Sequence, residues 1–367
     1  MLFDPRPKSQ RKELFDREKE IYELKESLLR LPLTLLLGIR RIGKTSVLKV
    51  ALNELDLPYV YLDLRMLEEE GYSKIAFYRL LSDAFSSTVS RWGKIINYLK
   101  TLKGIEAYGL KIEFNWREES LTFIRILNKL NQFAEKDKEI NIFVVAFDEA
   151  QVLRNFSGGK GRINFVNILA YAYDNLPNLR FVLTGSEVGL LLNMLKLDDA
   201  SSPLYGRFVK MIKLERFDDK KSLDFLMKGF EEFNMKVDEE ILHEIYEKVD
   251  GIVGWLTYFG CSIVESRKPI IEALNETTEK ALKLVEEELD KVFKRSKYYA
   301  YVLKAISLGI DTWSGIKKAI EAWLGRPLQN AQISRLLNTL LDLGILEKKN
   351  EHYVISDPLV AEYSKKL

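Results

Sequence analysis

Gly38, Gly43, Lys44 and Thr45 stand at the spacing G-x-x-x-x-G-K-[ST] within Gly38-Ile39-Arg40-Arg41-Ile42-Gly43-Lys44-Thr45-Ser46. That spacing describes a loop built to hold phosphate. Gly38 lets the chain leave a strand in a tight turn, and Gly43 lets the backbone approach an anion closely. The backbone N–H groups of Arg41, Ile42, Gly43, Lys44, Thr45 and Ser46 are then expected to face that anion, helped by the N-terminus of the following helix. Lys44 would reach the β- and γ-phosphates, and the Thr45 hydroxyl would complete a Mg²⁺ shell.

A second pair of groups completes the chemistry. Ile142-Phe143-Val144-Val145-Ala146-Phe147 is a continuous apolar run rich in β-branched and aromatic residues, and Asp148-Glu149 follows it directly. Such a run reads as a fully buried strand. Carboxylates at the C-terminal end of a parallel strand lie where open α/β sheets place ligands. Asp148 would hold Mg²⁺ through water, and Glu149 would orient or deprotonate the attacking water.

These groups need elements to position them. Thr34-Leu35-Leu36-Leu37 reads as the strand before the phosphate loop, and Ser46 to Leu52 as the helix after it. Further strands are expected at 59–64, 142–147, 180–184 and 208–214. Helical stretches lie near 73–92 and 118–136, with a short hairpin strand at 108–114 between them. Residues 1–14 read as a polar arm. Phe15 to Leu24 begins a helix with Asp16 as its N-cap, and Phe156 to Arg162 is a glycine-rich loop. Strands alternating with helices predict an α/β fold with a parallel five-stranded sheet covered on both faces.

After Phe217 the strand pattern stops. Residues 218–285 read as helices with one break at Asp250 to Trp255, a helical lid. From about 290, three helices precede Ile345 to Lys349, a turn at Asn350, and His352 to Ile355, which is the order of a winged helix. The expected division is a phosphate-loop core at 1–216, a lid at 217–287 and a winged helix at 288–367.

Composition sets bounds on function. The chain has 367 residues, 47% hydrophobic, with a formal net charge of +2, so it has no global attraction to nucleic acid or membrane. One cysteine and two histidines argue against a disulfide or a structural zinc site. No apolar run approaches a membrane span, and a cytoplasmic location is expected.

In this order of parts the chain resembles the archaeal ATPases of the AAA+ superfamily. The branch it resembles comprises the signal-transduction and origin-recognition-like ATPases with a P-loop core, a lid and a winged helix. The resemblance rests on Phe15-Asp16-Arg17-Glu18, Gly38 to Ser46, Asp148-Glu149-Ala150-Gln151, Thr184-Gly185-Ser186, Pro203-Leu204-Tyr205-Gly206-Arg207 and Ser356-Asp357-Pro358-Leu359. It implies that ATP or ADP binds with Mg²⁺ and that Phe15 and Arg17 lie near the adenine. It implies that Ser186, with Thr184, senses the γ-phosphate. It also implies that Arg207 acts as an arginine finger on a neighbouring subunit, which requires self-association. The chain departs from the family at Gly254-Trp255-Leu256, where many relatives carry a G-x-P element. Trp255 is open to two roles, an adenine stack or a core residue. No lid arginine of the sensor-two type is evident.

The winged helix also leaves two roles open. Across 290–367 there are 13 Lys+Arg against 8 Asp+Glu, and the candidate recognition helix Asn330 to Asp342 carries only Arg335. Double-stranded DNA contact through Lys348, Lys349 and that helix is one role. Internal regulation by packing against the core is the other. The expected function is a slow ATPase that acts as a molecular switch. The alternatives are a DNA-binding regulator with a structural nucleotide site, and a small-molecule kinase.

Overall fold

The computed structural model describes the whole chain except residues 90–92, 109–110, 116, 119, 137–140 and 158–162. Most of the expected glycine-rich loop, 158–162, therefore lies outside the described residues.

The core alternates strands and helices. In chain order it runs α1 (Glu18–Arg30), β1 (Leu33–Leu37), α2 (Lys44–Leu55), β2 (Tyr59–Asp63), α3 (Met66–Glu70), α4 (Lys74–Val89) and α5 (Ile95–Leu99). The hairpin β3 (Ile105–Tyr108) and β4 (Lys111–Phe114) follows, then α6 (Phe123–Lys136), β5 (Phe143–Asp148), α7 (Phe165–Asn175), β6 (Leu179–Gly185), α8 (Val188–Leu195) and β7 (Lys210–Lys213). The main sheet has five strands in the order β2-β5-β6-β1-β7, all paired in parallel. In β5, Phe143, Val145 and Phe147 enter the apolar cluster on one face, while Val144 and Ala146 enter the cluster that packs α1 and α2 on the other. Successive side chains of a strand point to opposite faces, so a strand buried on both sides has to be apolar throughout.

Several boundaries differ from expectation. The predicted helix over 118–136 starts only at Phe123, and the last core strand is four residues long rather than seven. The hairpin has two strands, not one. Asp16 is not the N-cap of α1. Asp16 and Arg17 both have positive φ, the cap position falls on Arg17, and the Asp16 carboxylate instead pairs with Lys221 Nζ at 3.0 Å. An ion pair to a helix of the next domain has taken the side chain that would have capped its own.

The second half is helical. It comprises α9 (Asp219–Glu231), α10 (Glu239–Val249), α11 (Val253–Ser266) and α12 (Ile270–Phe293). Then come α13 (Tyr298–Ser307), α14 (Trp313–Leu324), α15 (Asn330–Asp342), the hairpin β8 (Leu346–Lys349) and β9 (His352–Ile355), and α16 (Pro358–Ser364). Asp218 caps α9 by accepting from Lys221 N, Thr312 caps α14, and Asp357 caps α16 with Pro358 just inside the helix. Asn350 turns the wing with φ 56°. α12 is continuous across the expected lid boundary at 287/288. Lid and winged helix also share a single apolar core, from Phe217 through Trp255 and Leu289 to Leu359. No helix among the described residues is long and apolar enough to cross a membrane.

Candidate nucleotide site

β1 ends in the phosphate loop, and Gly43 supplies the turn into α2 with φ 96°, a backbone conformation that disfavours side chains. Lys44 is 5% exposed, and its Nζ donates to the carbonyls of Gly38 and Ile39, each at 2.9 Å. Burial pulls its ammonium down from 10.5 to about 8, against the opposing pull of Glu149 and Asp148. The loop therefore surrounds a buried cation whose hydrogen bonds go to loop carbonyls.

The β5 carboxylates meet this loop from the neighbouring part of the sheet. Asp148 is fully buried, and its Oδ2 accepts from Thr45 Oγ1 at 2.9 Å and from the Tyr61 hydroxyl at 2.6 Å. Its other oxygen accepts from the Thr184 hydroxyl. Burial and the adjacent Asp148 push the Tyr61 phenol up, which keeps it a donor. Thr184 in turn accepts from the Glu149 amide at 3.0 Å.

Glu149 leaves the strand with φ 56°. Its Oε2 accepts from Gln151 Nε2 at 2.7 Å, Ser186 Oγ at 2.6 Å and Ser186 N at 3.2 Å. Burial pushes its carboxyl up, but Lys44, Gln151 and Ser186 outweigh that and hold it below the usual carboxylate range. The acid is thus ionised, as a base must be, and it is already engaged by the β6 end of the sheet. Gln151 Oε1 is buried with no hydrogen-bond partner among the described residues. A buried acceptor left over beside a carboxylate is a place for a donor such as water.

A cavity of about 540 Å³ opens above the loop, between core and lid, a size suited to a small-molecule ligand. Phe15, Arg17, Arg41, Ile42, Gly43, Lys44, Thr45, Ser46, Glu149 and Ser186 all line it. Phe15 forms part of its wall, edge-on to Phe217 and Phe225. Arg17 touches the cavity mainly as a brace. It is 4% exposed, donates to Glu215 O at 2.7 Å and Ile42 O at 3.4 Å, and stacks on Phe217. Four other expected residues do not line the cavity: Asp148, Thr184, Arg207, and Gly38, whose carbonyl accepts from Lys44. Thr184 is fully buried with its hydroxyl committed to Asp148. Arg207 forms a two-pronged ion pair with Asp174 at 3.0 and 2.6 Å, near the start of β7.

Trp255 is 1% exposed, so it is a core residue, yet it borders the cavity. The Arg41 guanidinium lies 4.1 Å from its ring centroid. Lid and loop are in backbone contact here, because Gly254 N donates to Arg41 O at 2.8 Å. A Cβ on Gly254 would lie 2.7 Å from Arg41 Cβ, so glycine is what permits this approach. Tyr61 and the segment from Leu2 to Lys8 are the parts of the site that the motifs do not contain, and Gln151, though inside one of those motifs, had no role assigned. For Tyr61 a signal exists: alternation along Tyr59-Val60-Tyr61 puts both tyrosines on the face that packs α2.

A parallel sheet in this order, with a phosphate loop after β1 and an acidic pair at the end of β5, defines a P-loop ATPase fold of the AAA+ type. Residues 14–259 match the family described as an ATPase domain predominantly from Archaea, and the chain belongs to that family. Residues 293–356 match the MCM protein C-terminal winged helix-turn-helix domain. Among solved structures, the Walker-type ATPase paby2304 of Pyrococcus abyssi is 38% identical over 100% of both chains, with a TM-score of 0.85. The ORC2 protein of Aeropyrum pernix, solved as ADPNP–ADP complexes, is 14% identical over 100% of this chain and 96% of that one, with a TM-score of 0.61. At that identity the likeness is one of fold. No curated protein sequence matches the chain.

Proposed function

We propose that this protein is an ATP-binding switch with slow, Mg²⁺-dependent hydrolysis, in which the nucleotide state sets the orientation of lid and winged helix. The observation that carries this reading is the position of Arg41. It belongs to the phosphate loop and has φ 63°. It stacks on Trp255 of α11, pairs with Glu288 of α12, and donates to Glu288 Oε2 at 3.2 Å. Trp255 Nε1 donates to Asp357 Oδ2 at 2.7 Å, at the cap of the winged-helix element α16. One loop residue thus joins core, lid and winged helix. Arg216, in the linker, repeats the pattern by reaching Asp250 of the lid and the Ser356 carbonyl.

The residues fit a nucleotide phosphate chain with its metal. Lys44 is a preformed positive centre, and Thr45 and Asp148 already place a hydroxyl and a carboxylate side by side. Mg²⁺, when bound, would neutralise charge developing on the phosphates. Thr45 and Asp148 would hold it, and Tyr61 and Thr184 would keep Asp148 oriented. Glu149 would take the proton of the attacking water, with Ser186 setting the direction of its carboxylate. Phosphate pressing on the loop would move Arg41, and with it Trp255, Glu288 and Asp357. Hydrogen exchange measured with ADP and with a non-hydrolysable ATP analogue tests the switch. Protection at α11 and α16 should differ between the two, and identical protection would sink the coupling.

A second reading, a DNA-binding regulator with a structural nucleotide site, is favoured by the winged-helix match and by the exposed Lys348, Lys349 and Arg335. Against full insertion of α15 into a groove, its C-terminal end is already packed on the core: Asn193 Nδ2 of α8 donates to Asp342 Oδ1 at 2.9 Å. Salt-dependent duplex binding without ATP turnover would favour this second reading.

A further inference from the structure

The segment read as a polar arm lines the candidate nucleotide cavity and is fastened at both ends. At the lid end Phe3 is 2% exposed and meets Phe225 and Phe230 edge-on, with ring centroids 5.8 and 5.0 Å away. Two glycines make its socket. A Cβ on Gly229 of α9 would lie 2.2 Å from the Phe3 ring, and one on Gly260 of α11 would lie 2.4 Å from it. The Leu2 amide adds a bond to Glu232 Oε2 at 2.7 Å. At the core end, Lys8 N donates to Ser46 Oγ at 3.1 Å and Asn53 Nδ2 donates to Ser9 O at 2.9 Å. Ser46 and Asn53 both belong to α2, the helix that leaves the phosphate loop.

Between these anchors Asp4, Pro5, Arg6 and Pro7 form part of the cavity wall. The Lys8 ammonium donates to the carbonyls of Met1 and Asp4 at 2.7 and 2.8 Å, so it folds the segment on itself. Two prolines stiffen the span.

We propose that residues 1–9 form a clasp that ties the lid to α2 and thereby sets how long a nucleotide stays bound. The inference rests on the nucleotide-site reading above. Separating lid from α2 requires that one anchor let go. The core anchor is two hydrogen bonds between neutral groups, whereas the lid anchor is a fully buried aromatic ring. The core end is therefore the one that opens, and the segment swings out with the lid. A tether fails whichever anchor is lost, so emptying or filling the Phe3 socket should have one and the same effect on release.

The test is stopped-flow release of methylanthraniloyl-ADP, chased with excess ADP. Phe3→Ala should speed release about tenfold, with a smaller effect on association. Gly260→Ala, which keeps α11 helical but fills the socket, should speed release in the same direction. The double variant should be no faster than Phe3→Ala, because both changes remove one contact. Wild-type release rates in both single variants, or additive effects in the double, would overturn the clasp. Failure of the wild-type chain to bind the probe would overturn the nucleotide-site reading instead. Hydrogen exchange of peptide 1–9 then decides the clasp by itself: faster exchange in Phe3→Ala supports it, and exchange at the wild-type rate overturns it.

Discussion

The Ser186 hydroxyl donates to Glu149 Oε2 at 2.6 Å, joining the end of β6 to the residue that follows β5. The residue expected to sense phosphate and the residue expected to act as base are therefore one unit. Glu149 cannot turn toward a water without Ser186 letting go or turning with it. Burial alone would push the Glu149 carboxyl up, and the donors around it, with Lys44, reverse that.

Glu149→Gln keeps the shape of the side chain and removes the base. Turnover should fall by about a hundredfold or more while ATP affinity stays near wild type. Ser186→Ala should lower turnover by a smaller factor, because the base remains but loses its orienting donor. The two changes together should cost little more than Glu149→Gln alone. Fully independent effects in steady-state assays would separate the two residues.

Asp148→Asn should raise the Mg²⁺ concentration needed for half-maximal activity, since an amide is a poor ligand for a hard cation. It also changes a buried carboxylate that now satisfies Thr45, Tyr61 and Thr184. Tyr61→Phe separates the two effects. It should leave the metal requirement near wild type and lower stability by about 1 kcal/mol, read from the denaturation midpoint. A large shift in Mg²⁺ requirement for Tyr61→Phe would make the tyrosine part of the metal shell.

Lys44 gives a prediction in pH. Its ammonium is buried and titrates near 8 in the folded chain, against an ordinary 10.5. Below pH 8 folded and unfolded chains both carry the proton, and the fold bears the whole cost of burying it. Between about 8 and 10.5 the folded chain releases a proton that the unfolded chain keeps, so stability rises with pH in that window. The nucleotide-free protein should therefore gain stability there relative to Lys44→Met. Nucleotide affinity should move the opposite way and fall above pH 8, because the phosphates need the charged form. Lys44→Ala should weaken ATP binding by on the order of a hundredfold at neutral pH. Unchanged affinity in a calorimetric titration would remove the phosphate-loop assignment.

Trp255→Phe keeps a ring under Arg41, removes the donor to Asp357 and leaves a small cavity where the buried indole was larger. Asp357 is a half-buried carboxylate whose desolvation already pushes it up, and its backbone donor from Leu359 N at 3.0 Å would remain. Stability should fall by about 1–3 kcal/mol, the usual cost of stripping a donor from a desolvated acceptor. The difference between ADP and ATP-analogue states in hydrogen exchange at α16 should shrink. A full-sized difference in this variant would mean that the coupling runs through Arg216 rather than Trp255.

The sheet was legible because its three central strands, β5, β6 and β1, are buried on both faces, which forces continuous apolar runs such as Phe143 to Phe147. The phosphate loop and the Asp148-Glu149 pair were legible because their chemistry is carried by adjacent residues. What joins the domains was not. Arg41, Trp255 and Asp357 are far apart in sequence and meet only through tertiary packing, and the break at Asp250 to Trp255 displays Gly254 without showing that Arg41 packs against it. Asp16 misled for a related reason: a local capping pattern lost to a distant lysine. Phe3, an aromatic in a polar arm, was the one visible sign that the arm is anchored.

Arg207 carries the last prediction. It lies just before β7, held by Asp174 and by the Pro203 carbonyl, and it does not line the cavity of its own chain. The beginnings of parallel strands lie at the edge of the sheet opposite the phosphate loop. From there an arginine can serve a neighbour's nucleotide and not its own. If Arg207 acts on a second copy, it must exchange Asp174 for a phosphate, and ATPase activity per chain should rise with protein concentration. Arg207→Ala should abolish that rise and leave nucleotide binding unchanged. Mixing it with Lys44→Ala should restore part of the activity, because the Lys44→Ala chain supplies the arginine and the Arg207→Ala chain supplies the intact loop. Asp174→Ala should free the arginine and raise activity at low protein concentration. A rate per chain that stays constant with concentration, with Arg207→Ala equal to wild type, would leave Arg207 as half of a surface ion pair, of the kind worth about 1 kcal/mol or less.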